Sequence, residues 1–460
     1  MSASIEHLPP LSRNRLVLLA CILGSSIVFV DGSVVNVALP AIQRDLGGGL
    51  ALQQWVVDAY LLTLGSLLLV GGSLGDLFGA RRLFILGIIV FGITSVLCAA
   101  APDGTTLILA RGLQGVAGAI LTPAGLAVIA TTFSGEERGA AIGSWTAWTG
   151  VAFVLGPLLG GWLITHGSWR WVFLINVPIA IATAALVIYA VPKREGGNER
   201  ARVDVVGGVL CVLGLGGPVF ALIEEPRRGW GDPLILGTFF GGLALLAVFF
   251  WWERHHTDPM LPLRLFSKRN FTFANIETLT VYAALSTLTF FLVLFLQQLS
   301  GYSPLRSGLA LVPITIVMFL LSPRVGRLSM RYGPRLFMGA GPLVIALGVL
   351  PFVRLKPGFD YWTELLPPLL LFSVGLSMVV APLTSTVLAD AGERDAGIAS
   401  GVNNAVARVA GLLGIAVVGA AIAGADNKLD LPGYRMAMWI TAALVGAGGI
   451  IGFTGITNRQ

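Results

Sequence analysis

Residues 16–40 read LVLLACILGSSIVFVDGSVVNVALP, an apolar run of membrane-spanning length with a single carboxylate, Asp31, set inside it. About 20 apolar residues at 1.5 Å of rise each cross a bilayer core, so the run is a transmembrane helix rather than the buried helix of a soluble domain. A charge at the centre of such a helix costs about 2.5–3.5 kcal/mol on insertion scales, and therefore faces a bundle interior or a water-filled path. Asp31 is the first candidate functional residue.

The same pattern recurs along the chain. Apolar runs are expected to start near Leu16, Leu52, Leu83, Thr105, Gly139, Trp169, Val205, Pro233, Asn270, Pro304, Pro334, Thr363, Ala396 and Arg435, about fourteen spans in all. The 460 residues are 55% hydrophobic and 12% charged, with a mean hydropathy of +0.83. Those values exclude a soluble globular protein and imply an all-α integral membrane protein. No soluble domain is apparent. The polar leader runs straight into the first span, so that helix is expected to be retained as an anchor.

The net charge of +6 matters here through its placement, and no nucleic-acid partner is implied. The densest basic clusters are Lys193, Arg194, Arg200 and Arg202, then Arg264, Lys268 and Arg269, then Arg324, Arg327, Arg331 and Arg335. All fall on the side of the N-terminus, which places both termini in the cytoplasm by the positive-inside rule. Cys21, Cys98 and Cys211 lie inside spans without metal-type spacing, and the four histidines have no helical partner acids. Neither a metal site, a cofactor site nor an enzyme motif is expected.

Depth arithmetic gathers three charges. By helical rise Asp31 lies about 10 Å, and Asp58 and Arg111 about 9 Å, below the outer ends of their helices. A cation between two acids in a low-dielectric bundle keeps one carboxylate ionised while the other can exchange a proton. Asp31, Asp58 and Arg111 are therefore the expected proton-coupling layer. The alternative for each is a structural ion pair, or a side chain snorkelling from a helix end.

Between the second and third spans, GGSLGDLFGARRLF carries Gly72, Gly79 and the charges Asp76, Arg81 and Arg82. It reads as a hinge or latch in which Asp76 caps the next helix or pairs with an arginine, or else as a static loop anchor. Gly72, Leu74, Gly79 and Arg81 recur at one offset as Gly326, Leu328, Gly333 and Arg335, with Met330 replacing Asp76. That repeat implies two six-helix bundles with two helices inserted between them: 1–196, 197–260 and 261–460. In the fifth span, GVAFVLGPLLGGWL presents Gly150, Gly156, Gly160 and Gly161 around Pro157. The stretch either seals the path against proton leak or simply packs helices closely. In WRWVFLINVP, Trp169 and Trp171 flank Arg170 as an aromatic belt would.

In order, VDGSVVNVALP, GSLGDLFGARR, LARGLQGVAGA (with Arg111 and Gln114), GPLLGG and WRWVFLINVP resemble the fourteen-helix drug:proton antiporters of the major facilitator superfamily. The resemblance covers nearly the whole chain. It implies alternating access between two six-helix bundles related by a pseudo-two-fold axis, with proton influx driving export of a small amphipathic molecule. It also implies that Asp31 binds proton or substrate, that Arg111 serves proton coupling, and that Asp76 and Arg81 match a cytoplasmic gate. Gly156 to Gly161 match what the family calls its antiporter motif.

The second half is less informative. Glu277, about 10 Å into the ninth helix, is a second acidic candidate, weighed between a substrate or proton role and a structural pair. Asn403, Asn404 and Arg408 lie in SGVNNAVARVAG. Arg408 falls near mid-membrane and needs an acidic or carbonyl partner, Glu277 being one possibility. Glu224 and Glu225 read as an acidic entrance or as solvated loop charges. Phe290, Phe291, Phe295, Trp145 and Trp148 read as cavity lining or as packing. Together the residues imply a monomeric bacterial inner-membrane exporter, driven by the proton gradient, of lipophilic drugs or antibiotics. Asp31, Asp58 and Glu277 suggest that these are cations. A dedicated exporter of one endogenous metabolite, lipid or siderophore is the other reading.

Overall fold

The computed structural model describes residues 10–192, 202–391, 395–422 and 428–458. Lys193, Arg194, Arg200 and the expected division at 196 lie outside them. The described residues contain fourteen helices long and apolar enough to cross a membrane. They are α1 (Arg13–Leu46), α2 (Gly49–Phe78), α3 (Ala80–Ala100), α4 (Gly104–Thr132), α5 (Glu137–His166), α6 (Trp171–Ala190) and α7 (Val205–Arg228). The remainder are α8 (Pro233–His255), α9 (Arg269–Leu299), α10 (Pro304–Tyr332), α11 (Pro334–Arg354), α12 (Tyr361–Ala391), α13 (Ala396–Ile422) and α14 (Leu431–Gly455). The fold is all-helical; the described residues form no strand. The end of the molecule carrying both chain termini is called the terminal face, and the opposite end the far face.

Helix starts follow local chemistry. Asp103, Asp232, Asp360 and Asp430 cap α4, α8, α12 and α14 at the far face, each accepting a backbone N–H two or three residues on. At the terminal face Gly79 and Gly333, at φ 89° and 85°, make the tight α2–α3 and α10–α11 turns. Positive φ explains why the repeat keeps glycine there. Arginines at this face bind helix ends: Arg13 and Arg81 donate to the carbonyls of Ala190 and Val191 at the end of α6. Arg269 and Arg335 do the same to Gly455 and Phe453 at the end of α14, where cations meet the negative pole of the helix dipole.

Packing repeats as well. In the first half α1 packs on α5 and α6, α4 on α2 and α3, and α3 on α6. In the second half α9 packs on α13 and α14, α12 on α10 and α11, and α11 on α14. The halves meet along two seams, α2–α13 and α5–α10. The α7–α8 hairpin lies beside the first, with α7 touching both α2 and α13. Across it the Trp55 Nε1 donates to Glu224 (3.1 Å), so Glu224, at 9% exposure, is a buried partner and not a solvated loop charge.

The second seam is tight at one end only. Gly139, Gly143, Gly150, Pro157 and Gly161 share one stripe of α5 by their spacing. At the far face a Cβ on Gly161 would stand 2.6 Å from the Leu305 Cα, and Gly308 of α10 abuts the Pro157 carbonyl. Towards the terminal face Gly139, Gly143 and Gly150 meet nothing within 4 Å. Along this seam the halves therefore close at the far face and part towards the terminal face, while at the other seam Gly401 of α13 stays against Leu69 of α2.

Several expectations are corrected. Gly150 takes no part in the close approach, because the seam has opened at its level. Gly156 and Gly160 pack on Ser33 and Val34 of α1, and of the stretch's glycines Gly161 alone meets the other half, beside Pro157. Asp76 is exposed and makes no hydrogen bond or ion pair among the described residues, while Gly79 is the residue before α3 and no side chain caps it. Arg82 is exposed, and even a Cβ added at Gly72 would only graze Pro123 (3.9 Å). Trp169 is not a belt residue: it is 4% exposed, its indole donates to Asp45 (2.9 Å), and Arg170 pairs with the same carboxylate at 2.6 Å. Phe290, Phe291 and Phe295, by contrast, fit their packing reading: all three are fully buried core residues.

Candidate functional site

Five helices, α1, α2, α3, α4 and α6, meet around Asp31. Its carboxylate is fully buried and pairs with Arg111 Nη1 of α4 at 2.5 Å. Three residues on, and so on the same face of α4, Gln114 donates to the other carboxylate oxygen (3.0 Å) and accepts from Arg111 (2.6 Å). Asn176 of α6 donates to that oxygen as well, also at 3.0 Å. Ser95 of α3 accepts from both amides, and Cys98 donates weakly to Gln114. Arg111 is completed by the Val56 carbonyl of α2 (2.9 Å) and by the Tyr60 ring, 4.2 Å from the guanidinium carbon.

A buried ion pair repays its desolvation only when further hydrogen bonds satisfy both partners. Here the carboxylate has two such donors besides the arginine, Gln114 and Asn176, and the guanidinium two carbonyl-type acceptors besides the acid. The site can hold a separated charge pair inside the membrane. It can also release it, because one proton on Asp31 would cancel the Coulomb attraction that holds Arg111.

Asp58 does not belong to this cluster. Depth along the helix is as expected, but Asp58 lies about 200° round α2 from Val56, whose carbonyl faces Arg111. It shares the face of Gln54, Leu61 and Gly65, which meets α13: Gln54 donates to the Ile415 carbonyl (3.1 Å), and Gly65 lies against Arg408. Asp58 is fully buried, with neither oxygen hydrogen-bonded. The expected three-charge layer is thus an ion pair with a separate acid on the inter-half seam.

Glu277 is likewise fully buried with both oxygens unpartnered. It does not pair with Arg408, whose guanidinium lies over the Phe29 ring at 5.5 Å. Asn403 joins α13 to α9 through Thr278 (2.7 Å) and Asn275 (3.2 Å), whereas Asn404 is exposed. None of the three acids offers an open carboxylate, so the premise for a cationic substrate is unmet in this conformation. Sequence reasoning missed Ser95, Cys98 and Asn176. Asn176, a polar residue inside the apolar run LINVP, carried the one available signal.

The comparisons agree with this architecture. The family model described as Major Facilitator Superfamily matches residues 21–415. The puromycin resistance protein pur8 of Streptomyces alboniger is 37% identical over 407 residues, 87% of this chain and 80% of that protein. The cephamycin export protein CmcT of Amycolatopsis lactamdurans is 38% identical over 406 residues, covering 87% and 83%. Among solved structures, a bacterial homolog of the human lysosomal transporter Spinster superposes with a TM-score of 0.70 at 17% identity, over 96% of this chain and 97% of that one. A helical membrane chain with repeated halves, two inter-half seams and relatives of this closeness is a transporter and not an enzyme, and it belongs to the major facilitator superfamily.

Proposed function

We propose that this transporter exports small lipophilic drugs or antibiotics across the bacterial inner membrane by alternating access, driven by proton entry and by no other cofactor. The observation that carries the reading is the buried Asp31–Arg111 pair at 2.5 Å, the kind of charge pair that one proton dissolves. The terminal face is then cytoplasmic, the six-helix halves are the rocking units of a monomer, and the conformation is open inward. Protonation of Asp31 frees Arg111 from α1 and biases the halves. Asp58, on the α2–α13 seam, is placed to feel their movement, and the unpaired Asp76 has its partner in the opposite state.

The names of these two relatives favour a second, narrower reading, since puromycin and cephamycin are each named alone. That would make this chain the exporter of one endogenous metabolite, lipid or siderophore.

Proteoliposomes under an imposed pH gradient separate these readings. Gradient-dependent transport of several of puromycin, a cephamycin and ethidium is expected for the wild type, and none for the folded Asp31→Asn/Arg111→Gln variant. Transport of a single compound selects the narrower reading. Full gradient-driven transport by the variant would remove the ion pair from coupling.

A further inference from the structure

Among the described residues Arg408 is a cation without an anion. It lies in the middle of α13, near mid-membrane, where an unpaired charge is costly and marks a substrate or ion path. The other half lies against it: the Phe29 ring of α1 is 5.5 Å from its guanidinium, and a Cβ added at Gly65 of α2 would stand 3.1 Å from its own Cβ. The side chain therefore points to the centre of the molecule and not to lipid. It is half-buried, and makes no hydrogen bond or ion pair among the described residues. One turn nearer the terminal face Asn404 is exposed on the same side of α13.

The contrast with the acids is what decides the matter. Asp31 is occupied by Arg111, and Asp58 and Glu277 are fully buried. Accessible charge at the centre of the molecule is thus positive, and it is flanked by an aromatic face. A guanidinium presents a planar fork that matches a carboxylate with two parallel hydrogen bonds, and a ring stacked on Phe29 would place an aromatic acid's carboxylate against it.

We propose that Arg408 anchors the acidic group of the transported molecule, so that the preferred substrates are lipophilic aromatic carboxylates. The assignment rests on the export reading for its meaning, but binding tests it separately. Purified full-length protein is titrated with 1-pyrenecarboxylate, its methyl ester and ethidium, with binding read by energy transfer from tryptophan. The wild type is expected to bind the carboxylate about ten-fold or more tighter than the ester, the margin of a charge-assisted hydrogen bond. Arg408→Gln erases that margin and Arg408→Lys keeps part of it.

Equal affinity of the wild type for acid and ester, a margin that survives Arg408→Gln, or a preference for ethidium overturns the proposal. The first and last of these need no variant, so misfolding cannot shelter it. Absence of gradient-driven transport of all three probes, with the carboxylate margin intact, would refute the export reading and leave the anchor standing.

Discussion

Asp31 and Arg111 are each expensive alone and tolerable together. Removing one member of a buried pair leaves the other uncompensated, at about 3–5 kcal/mol, whereas removing both leaves hydrogen-bonding groups of similar shape. Asp31→Asn and Arg111→Gln should each lower the stability of the detergent-solubilised protein by that amount, and the double variant should recover most of the loss. Thermal unfolding of the three variants checks this. Additive losses would mean that the two residues are stabilised by different neighbours. The cluster shows what a sequence conveys at this scale. Helical rise gave the common depth of Asp31 and Arg111 correctly, since rise is a property of a single helix. The separation of Asp58 depends on which neighbour each face of α2 meets, and the contribution of Asn176 on the packing of α6 beside α1 and α3. Those are facts about pairs of helices.

Helices were legible because each answers to its own sequence. The expected starts at Val205, Pro233, Pro304, Pro334 and Ala396 coincide with those observed, each set by a proline, a cap or the edge of an apolar run. The GPLLGG stretch was ambiguous for the opposite reason: close packing and sealing use the same small residues. Its geometry divides the roles, with Gly156 and Gly160 serving α1 and Gly161 serving the seam. A methyl group at Gly161 would meet the backbone of Leu305 at 2.6 Å and the Pro304 carbonyl at 2.8 Å, neither of which can turn aside. Overpacking of this kind costs about 1–3 kcal/mol, and only the far-closed state pays it. Gly161→Ala should therefore shift the population of that state by about five-fold or more while the fold persists. Spin labels at the far ends of α5 and α10 should report a longer distance in the variant. An unchanged distance distribution would assign Gly161 to static packing.

Over the whole molecule, the stripe on α5 turns the conformation into something measurable. Gly161 and Pro157 are pressed against α10, while Gly150, Gly143 and Gly139 on the same stripe meet open space, so α5 and α10 diverge towards the terminal face. Glutamines brace the opposite end: Gln297 of α9 donates to the Val37 carbonyl of α1, and Gln298 to Gln43. Rocking the halves has to exchange these contacts, closing the stripe from below as the clasp opens above. The native thiols Cys21, Cys98 and Cys211 are all buried, which makes a thiol placed on the stripe the accessible one. Gly143 lies about 9 Å inside the start of α5 by helical rise, within reach of water from the terminal face. A Gly143→Cys variant should react with a membrane-impermeant maleimide several-fold faster in inside-out than in right-side-out vesicles. Substrate and an inward proton gradient, by cycling the halves through the opposite state, should slow that reaction. Faster labelling from outside would reverse the assigned orientation of the chain. A rate indifferent to substrate and gradient would mean that the α5–α10 opening is a fixed feature and not one phase of alternating access.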